Sequence, residues 1–146
     1  MPGYGQAWQI AQQLRVPLVM VIDPGHGGMD GGASARDGTQ EKNINLAISM
    51  ALAEEAKKYG VETVLTREDS EGLYSEENHS GRWSKIEDMK ERKRIIEETD
   101  PDLTVSIHLN NFLQDPDVYG AQVFYPEDSA EDVLEENKDI AKRIQR

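Results

Sequence analysis

Cysteine is absent from all 146 residues, which excludes disulfides and thiolate metal sites but leaves the compartment open. Long apolar runs are missing too. The longest, Pro17 to Ile22, is far below the roughly 20 residues needed to cross a bilayer, so no membrane span is expected and no intact secretion signal is visible. Basic residues are scarce, with 16 Lys and Arg against 28 Asp and Glu and a net charge of -12. That balance argues against nucleic acid or an anionic membrane as partner, because both select for a basic face. There is no internal repeat and no low-complexity tract. What remains is a chain of single-domain length whose 37% hydrophobic content can bury a core.

Leu18 to Ile22 is a continuous, partly β-branched apolar run, which predicts a strand buried on both faces, as in a parallel sheet. From Asn43 to Tyr59 the residues Ile44, Ala47, Ile48, Ala51 and Leu52 recur at helical spacing, and Gly60 is placed to cap the end. Ser84-Lys85-Ile86-Glu87 has capping-box spacing and predicts a second helix from Ser84 to Asp100-Pro101. Leu103 to Leu109 alternates like a strand, with Thr104, Ser106 and His108 opposite the apolar set. Gly120 to Tyr125 reads as a further strand, and Ser129 to Arg146 as a helix with Val133, Leu134, Ile140, Ala141 and Ile144 on one face. Strands alternating with helices predict an α/β fold: a single three-layer domain over residues 17–146, with a mostly parallel sheet and helices on both faces. Residues 1–16 read as an N-terminal extension or tether remnant.

Three residues stand where such a fold gathers ligands. His26 follows the first strand, Glu41 opens the first helix, and His108 ends the later strand. A crossover helix starts at the edge where its strand finishes, so all three should meet at the carboxyl edge of the sheet. Two imidazoles and one carboxylate make a common catalytic zinc shell with a fourth position for water. Each residue alone has a plainer reading. His26 could be an ordinary loop histidine and His108 a satisfied core histidine, while Glu41 could be a helix-start acid worth about 0.3–1 kcal/mol against the dipole. Asp23 and Asn110 are candidates to orient ligands or substrate, although an aspartate before proline also simply forms turns. Arg67 and Arg92 read as structural ion-pair partners, and Tyr74 and Trp83 as packing residues that could line a glycan groove. The loop from Gly25 to Gly32 could instead cradle phosphate, but it matches neither the Walker pattern nor the dinucleotide fingerprint.

In order along the chain, Asp23-Pro24-Gly25-His26-Gly27-Gly28, Glu41-Lys42-Asn43, Thr66-Arg67, Glu91-Arg92 and Ser106-Ile107-His108-Leu109-Asn110 resemble the zinc-dependent N-acetylmuramoyl-L-alanine amidases of type 3. The likeness runs from about Val16 to Arg146. The stretches Ser80 to Glu98 and Gly120 to Tyr125 look most like the spore cortex and germination branch. The resemblance implies zinc on His26, Glu41 and His108, cleavage of the amide between N-acetylmuramic acid and L-alanine, a peptidoglycan or muropeptide substrate, and action outside the cytoplasm in the cell wall or spore envelope. On that reading a native leader has been removed or replaced.

One departure accompanies the likeness. The family's general base is a glutamate on a later strand in a segment resembling V-E-x-G-F-x-S-N, and no such segment occurs among these residues. The expectation is a catalytic domain lacking its carboxyl-terminal part, with the catalytic base unknown, metal binding with little turnover, and self-association through an unpaired sheet edge. The alternatives are a non-catalytic zinc-containing muropeptide-binding module and a phosphate-binding α/β protein.

Overall fold

The computed structural model describes residues 17–74, 81–109, 117, 119–127 and 130–145. Residues 17–111 make one compact unit, and the described residues from 117 onward belong to a second. In the first unit β1 (Leu18–Pro24) leads through a long loop to α1 (Glu41–Lys58), then β2 (Val61–Leu65), α2 (Gly81–Thr99) and β3 (Leu103–Ile107). The strands form a parallel sheet in the order β2-β1-β3, with Leu18 opposite Val61 and Met20 opposite Leu103. Both crossovers begin at the carboxyl edge of the sheet. Loops there carry the residues of interest.

The central strand is the buried one. Val21 and Ile22 have no exposed surface, whereas β2 and β3 alternate between half-buried and exposed positions. On one face Met20 and Ile22 pack with Ala53 and Ala56 of α1, joined by Leu52, Val61, Leu65, Leu103, Val105 and Ile107. On the other face Asp23 meets Arg92 of α2, so α1 and α2 lie on opposite sides of the sheet. This is the expected three-layer α/β arrangement.

Several details differ from the expectations. Helix α1 does not bury its Ile44, Ile48 and Ala51 stripe; Glu41, Asn45, Ser49, Ala53 and Ala56 are the buried positions, while Ile44 and Ile48 are exposed. Of these inward polar residues Asn45 ties the helix to the first loop, donating to the Gly25 carbonyl at 3.2 Å and to Glu41 Oε1 at 3.3 Å. The Tyr59 cap is followed by Gly60 at φ 75°, as anticipated. Helix α2 starts at Gly81, so Ser84 is an interior, buried residue and not its cap. It ends at Thr99, after which Asp100 takes φ 47° before Pro101.

In the second unit no strand is found over Gly120 to Tyr125; Phe124 is 77% exposed and the segment is irregular. The segment reads as a strand in sequence, but a strand exists only with a neighbour to satisfy its backbone, and none pairs with it among the described residues. Helix α3 (Glu131–Ile144) keeps the amphipathic pattern and buries Ala141, while its first expected residue, Ser129, and Arg146 lie outside the described residues.

Candidate metal centre

The loop after β1 turns sharply at His26, which holds φ 64°, a left-handed conformation costly for a residue with a side chain. Several groups offset that strain. The Gly27 and Asp30 backbones exchange hydrogen bonds at 3.0 Å, closing the turn. The Arg67 guanidinium, just past β2, donates to the carbonyls of Pro24, Gly25, His26 and Lys42 at 2.7–3.0 Å. Arg92 donates to the carbonyls of Pro24 and His26 at 2.8 and 2.6 Å and to the carboxylates of Asp23 and Asp88 at 2.5 and 2.6 Å. Arg92 is thus the ion-pair partner the sequence suggested. Arg67 acts differently, spending its donors on main-chain oxygens.

Glu41, the first residue of α1, is 5% exposed. Its Oε2 accepts the Ala33 N–H at 2.9 Å, and its Oε1 accepts the Leu109 N–H at 2.7 Å. Burial alone would raise its pKa, but these hydrogen bonds, with one from Asn45, outweigh it and hold the group below the usual carboxylate value. His26 Nε2 lies 3.3 Å and His108 Nδ1 3.4 Å from the same Glu41 Oε1. The two imidazoles meet edge to face with centroids 4.8 Å apart, and one donor atom from each of the three residues falls within 4.8 Å of the others. Strand β3 stops at Ile107, so His108 stands in the loop beyond it, and strand alternation does not set its direction.

Two glycines make room for this cluster. A Cβ on Gly25 would stand 2.3 Å from His108 Cε1, inside the imidazole ring's own space. Gly32, at φ 66°, could not carry one without approaching His26 Cδ2 to 2.6 Å and Glu41 Oε2 to 2.7 Å.

The donor chemistry fits a cation. Asp30 Oδ2 sits 3.1 Å from His26 Nδ1, so in the neutral imidazole the hydrogen-bond network assigns the proton to Nδ1. The Nε2 lone pair then faces the Glu41 carboxylate, an arrangement that repels unless positive charge lies between them. Asp30 itself is held down to about 2: burial raises it, and hydrogen bonds from Lys85, His26 and the Gly32 N–H more than reverse that. Asp30 was not singled out in the sequence, although its position four residues after a candidate ligand was the available signal.

Asp23 lies on the opposite sheet face, accepting from Thr66 Oγ1 at 2.6 Å, Ser106 Oγ at 2.8 Å and Arg92. Arg92 links it to the His26 loop, donating also to the His26 carbonyl. Asn110 lies outside the described residues, as does the Trp83 side chain, while the Tyr74 hydroxyl accepts the Met29 N–H at 2.8 Å. The amides a phosphate cradle would require are already engaged: Gly25, Gly27 and Gly28 donate to carbonyls, Gly32 to Asp30 and Ala33 to Glu41.

Comparison with known proteins gives the family of the chain. The family described as N-acetylmuramoyl-L-alanine amidase matches residues 20–146. The chain is 33% identical over 127 residues to the germination-specific N-acetylmuramoyl-L-alanine amidase of Bacillus subtilis, covering 87% of this chain and 51% of that protein. It is 33% identical over 106 residues to N-acetylmuramoyl-L-alanine amidase AmiA of Escherichia coli, covering 73% of this chain and 32% of that protein. A solved structure of the CwlD amidase from Clostridioides difficile, in complex with the GerS lipoprotein, superposes with a TM-score of 0.79 at 42% identity, covering 88% of this chain and 63% of that one. The chain therefore spans about half or less of the length of these curated relatives. With the family matched across nearly the whole chain and the His-Glu-His cluster at its sheet edge, this protein belongs to the type 3 N-acetylmuramoyl-L-alanine amidase family and is related to its spore cortex members.

Proposed function

We propose that this chain contributes the zinc-holding part of a hydrolase that cleaves the amide between N-acetylmuramic acid and L-alanine in peptidoglycan, outside the cytoplasm, in the cell wall or spore envelope. The observation that carries the reading is the convergence of His26, Glu41 and His108, whose donor atoms lie within 4.8 Å of one another. On this reading those three residues hold the ion, and residues 17–146 belong to the catalytic domain. When bound, zinc supplies Lewis acidity that polarises a carbonyl and favours hydroxide at neutral pH.

The chain's own groups prepare that site. Glu41 is kept ionised by the Ala33 and Leu109 amides, His26 presents Nε2 because Asp30 occupies Nδ1, and Arg67 and Arg92 fix the main chain that carries His26. Amide hydrolysis is also helped by a general base that takes a proton from the attacking water and returns it to the leaving amine, a glutamate in the family this chain resembles. The family segment that supplies it is not among these 146 residues, so that role is assigned to no residue here.

Zinc content and stem-peptide release from muropeptides, measured on the same preparation, test the reading. One zinc per chain, lost on chelation and restored by addition, is expected, with little release of peptide. Binding of muropeptide without cleavage would mark a binding module, and rapid cleavage would place the base among the carboxylates present. Phosphate binding without zinc binding would overturn the reading.

A further inference from the structure

We propose that Asp30 is a positioning residue that fixes the tautomer and orientation of His26 and thereby strengthens metal binding by the cluster, with Lys85 of α2 holding Asp30 in place; this rests on the reading of His26, Glu41 and His108 as metal ligands. Asp30 stands across a closed turn from His26, with the Gly27 and Asp30 backbones paired at 3.0 Å. Its two oxygens are committed separately. Oδ1 accepts the Gly32 N–H at 3.3 Å, and Oδ2 faces both His26 Nδ1 at 3.1 Å and Lys85 Nζ at 2.9 Å.

A neutral imidazole has one N–H and one lone pair. With the N–H directed to Asp30, the lone pair is on Nε2, the nitrogen that faces Glu41 Oε1. In the other tautomer Nε2 would carry a hydrogen into the space between the three donors, and His26 could not act as a ligand there. His108 turns its Nδ1 to Glu41 and has no carboxylate on its other nitrogen among the described residues. Asp30 therefore acts on one ligand selectively. Lys85 ties the same oxygen to α2, a helix on the opposite side of the sheet from α1, which carries Glu41. Carboxylate partners of this kind typically change metal affinity 10–100-fold when removed.

The test uses the full chain, labelled with nitrogen-15, in wild-type, Asp30→Ala, Asp30→Asn and His26→Ala forms. Zinc affinity is read by competition with a chromophoric chelator, and the His26 tautomer by imidazole nitrogen shifts in chelator-treated protein. Asp30→Ala is expected to weaken zinc about 10–100-fold and to move His26 from the Nδ1–H form toward Nε2–H, with thermal unfolding little changed. Asp30→Asn, which keeps the size and one acceptor, should fall between the two and carries the test if the alanine variant unfolds. Unchanged affinity and unchanged His26 shifts in both variants would overturn the proposal. If wild-type and His26→Ala bind zinc equally, the ligand reading fails by itself, and the nitrogen shifts still decide whether Asp30 sets the tautomer.

Discussion

At the scale of single residues, the cluster separates metal binding from folding. His108 lies past the end of β3, and the strand's packing rests on Leu103, Val105 and Ile107. His108→Ala is therefore expected to abolish tight zinc binding while leaving the urea midpoint nearly unchanged; retained stoichiometric zinc would show that His108 is not a ligand. Gly25→Ala makes the complementary case. The added methyl collides with the His108 ring at 2.3 Å, so the ring must move, and zinc affinity should fall although no ligand atom is removed. Equal zinc affinity in Gly25→Ala and wild type would show that the loop yields instead.

At the scale of elements, the connection between α2 and the end of β1 is electrostatic. Arg92, 4% exposed, pairs with Asp23 and Asp88 and also satisfies two carbonyls. Arg92→Met leaves two largely buried carboxylates without their cation, a loss that typically costs about 3–5 kcal/mol. Denaturant unfolding should show a fall of that order; a change below about 1 kcal/mol would mean that water replaces the guanidinium. The same pair gives a pH dependence. Burial raises the Asp23 pKa, but the Thr66 hydrogen bond, the Arg92 charge and hydrogen bonds from Ser106 and Arg92 outweigh it and leave it below 3.8. A depressed folded-state value means the stabilisation is complete above the unfolded value near 3.8 and is lost as pH falls through the lower folded value. Wild-type stability should therefore drop below about pH 3.8 more steeply than that of Asp23→Asn. Parallel acid profiles would remove Asp23 from the account.

At the scale of the molecule, the described sheet has three strands, with β2 and β3 at its edges. The expected self-association through such an edge becomes a prediction about concentration: sedimentation should show dimer growing with protein concentration, because an edge strand offers unpaired amides and carbonyls to a second chain. A monomer over the whole accessible range would remove it. A lysine substituted at Thr104, an exposed position of β3, should shift any such equilibrium toward monomer without unfolding the chain.

The α/β class and the three ligand candidates are legible in the sequence, because both depend on local pattern. The short, partly β-branched apolar run of β1 suits a buried strand, and His26, Glu41 and His108 fall at element ends that parallel strand-helix-strand connections bring to one edge. The boundaries of α1 and β3 were legible to within a few residues for the same reason. Which side of α1 lies inside is settled by packing, since Asn45 donates to the carbonyl of Gly25, in a loop outside the helix, as well as to Glu41 one turn earlier, against the helix's own apolar pattern. The fold also settles that Gly120 to Tyr125 is not a strand, because pairing is a property of two segments and not of one. Asp30 is not legible as a site residue in the sequence, because an aspartate in a glycine-rich loop has the pattern of turn chemistry until the fold places His26 Nδ1 and Lys85 on the same oxygen.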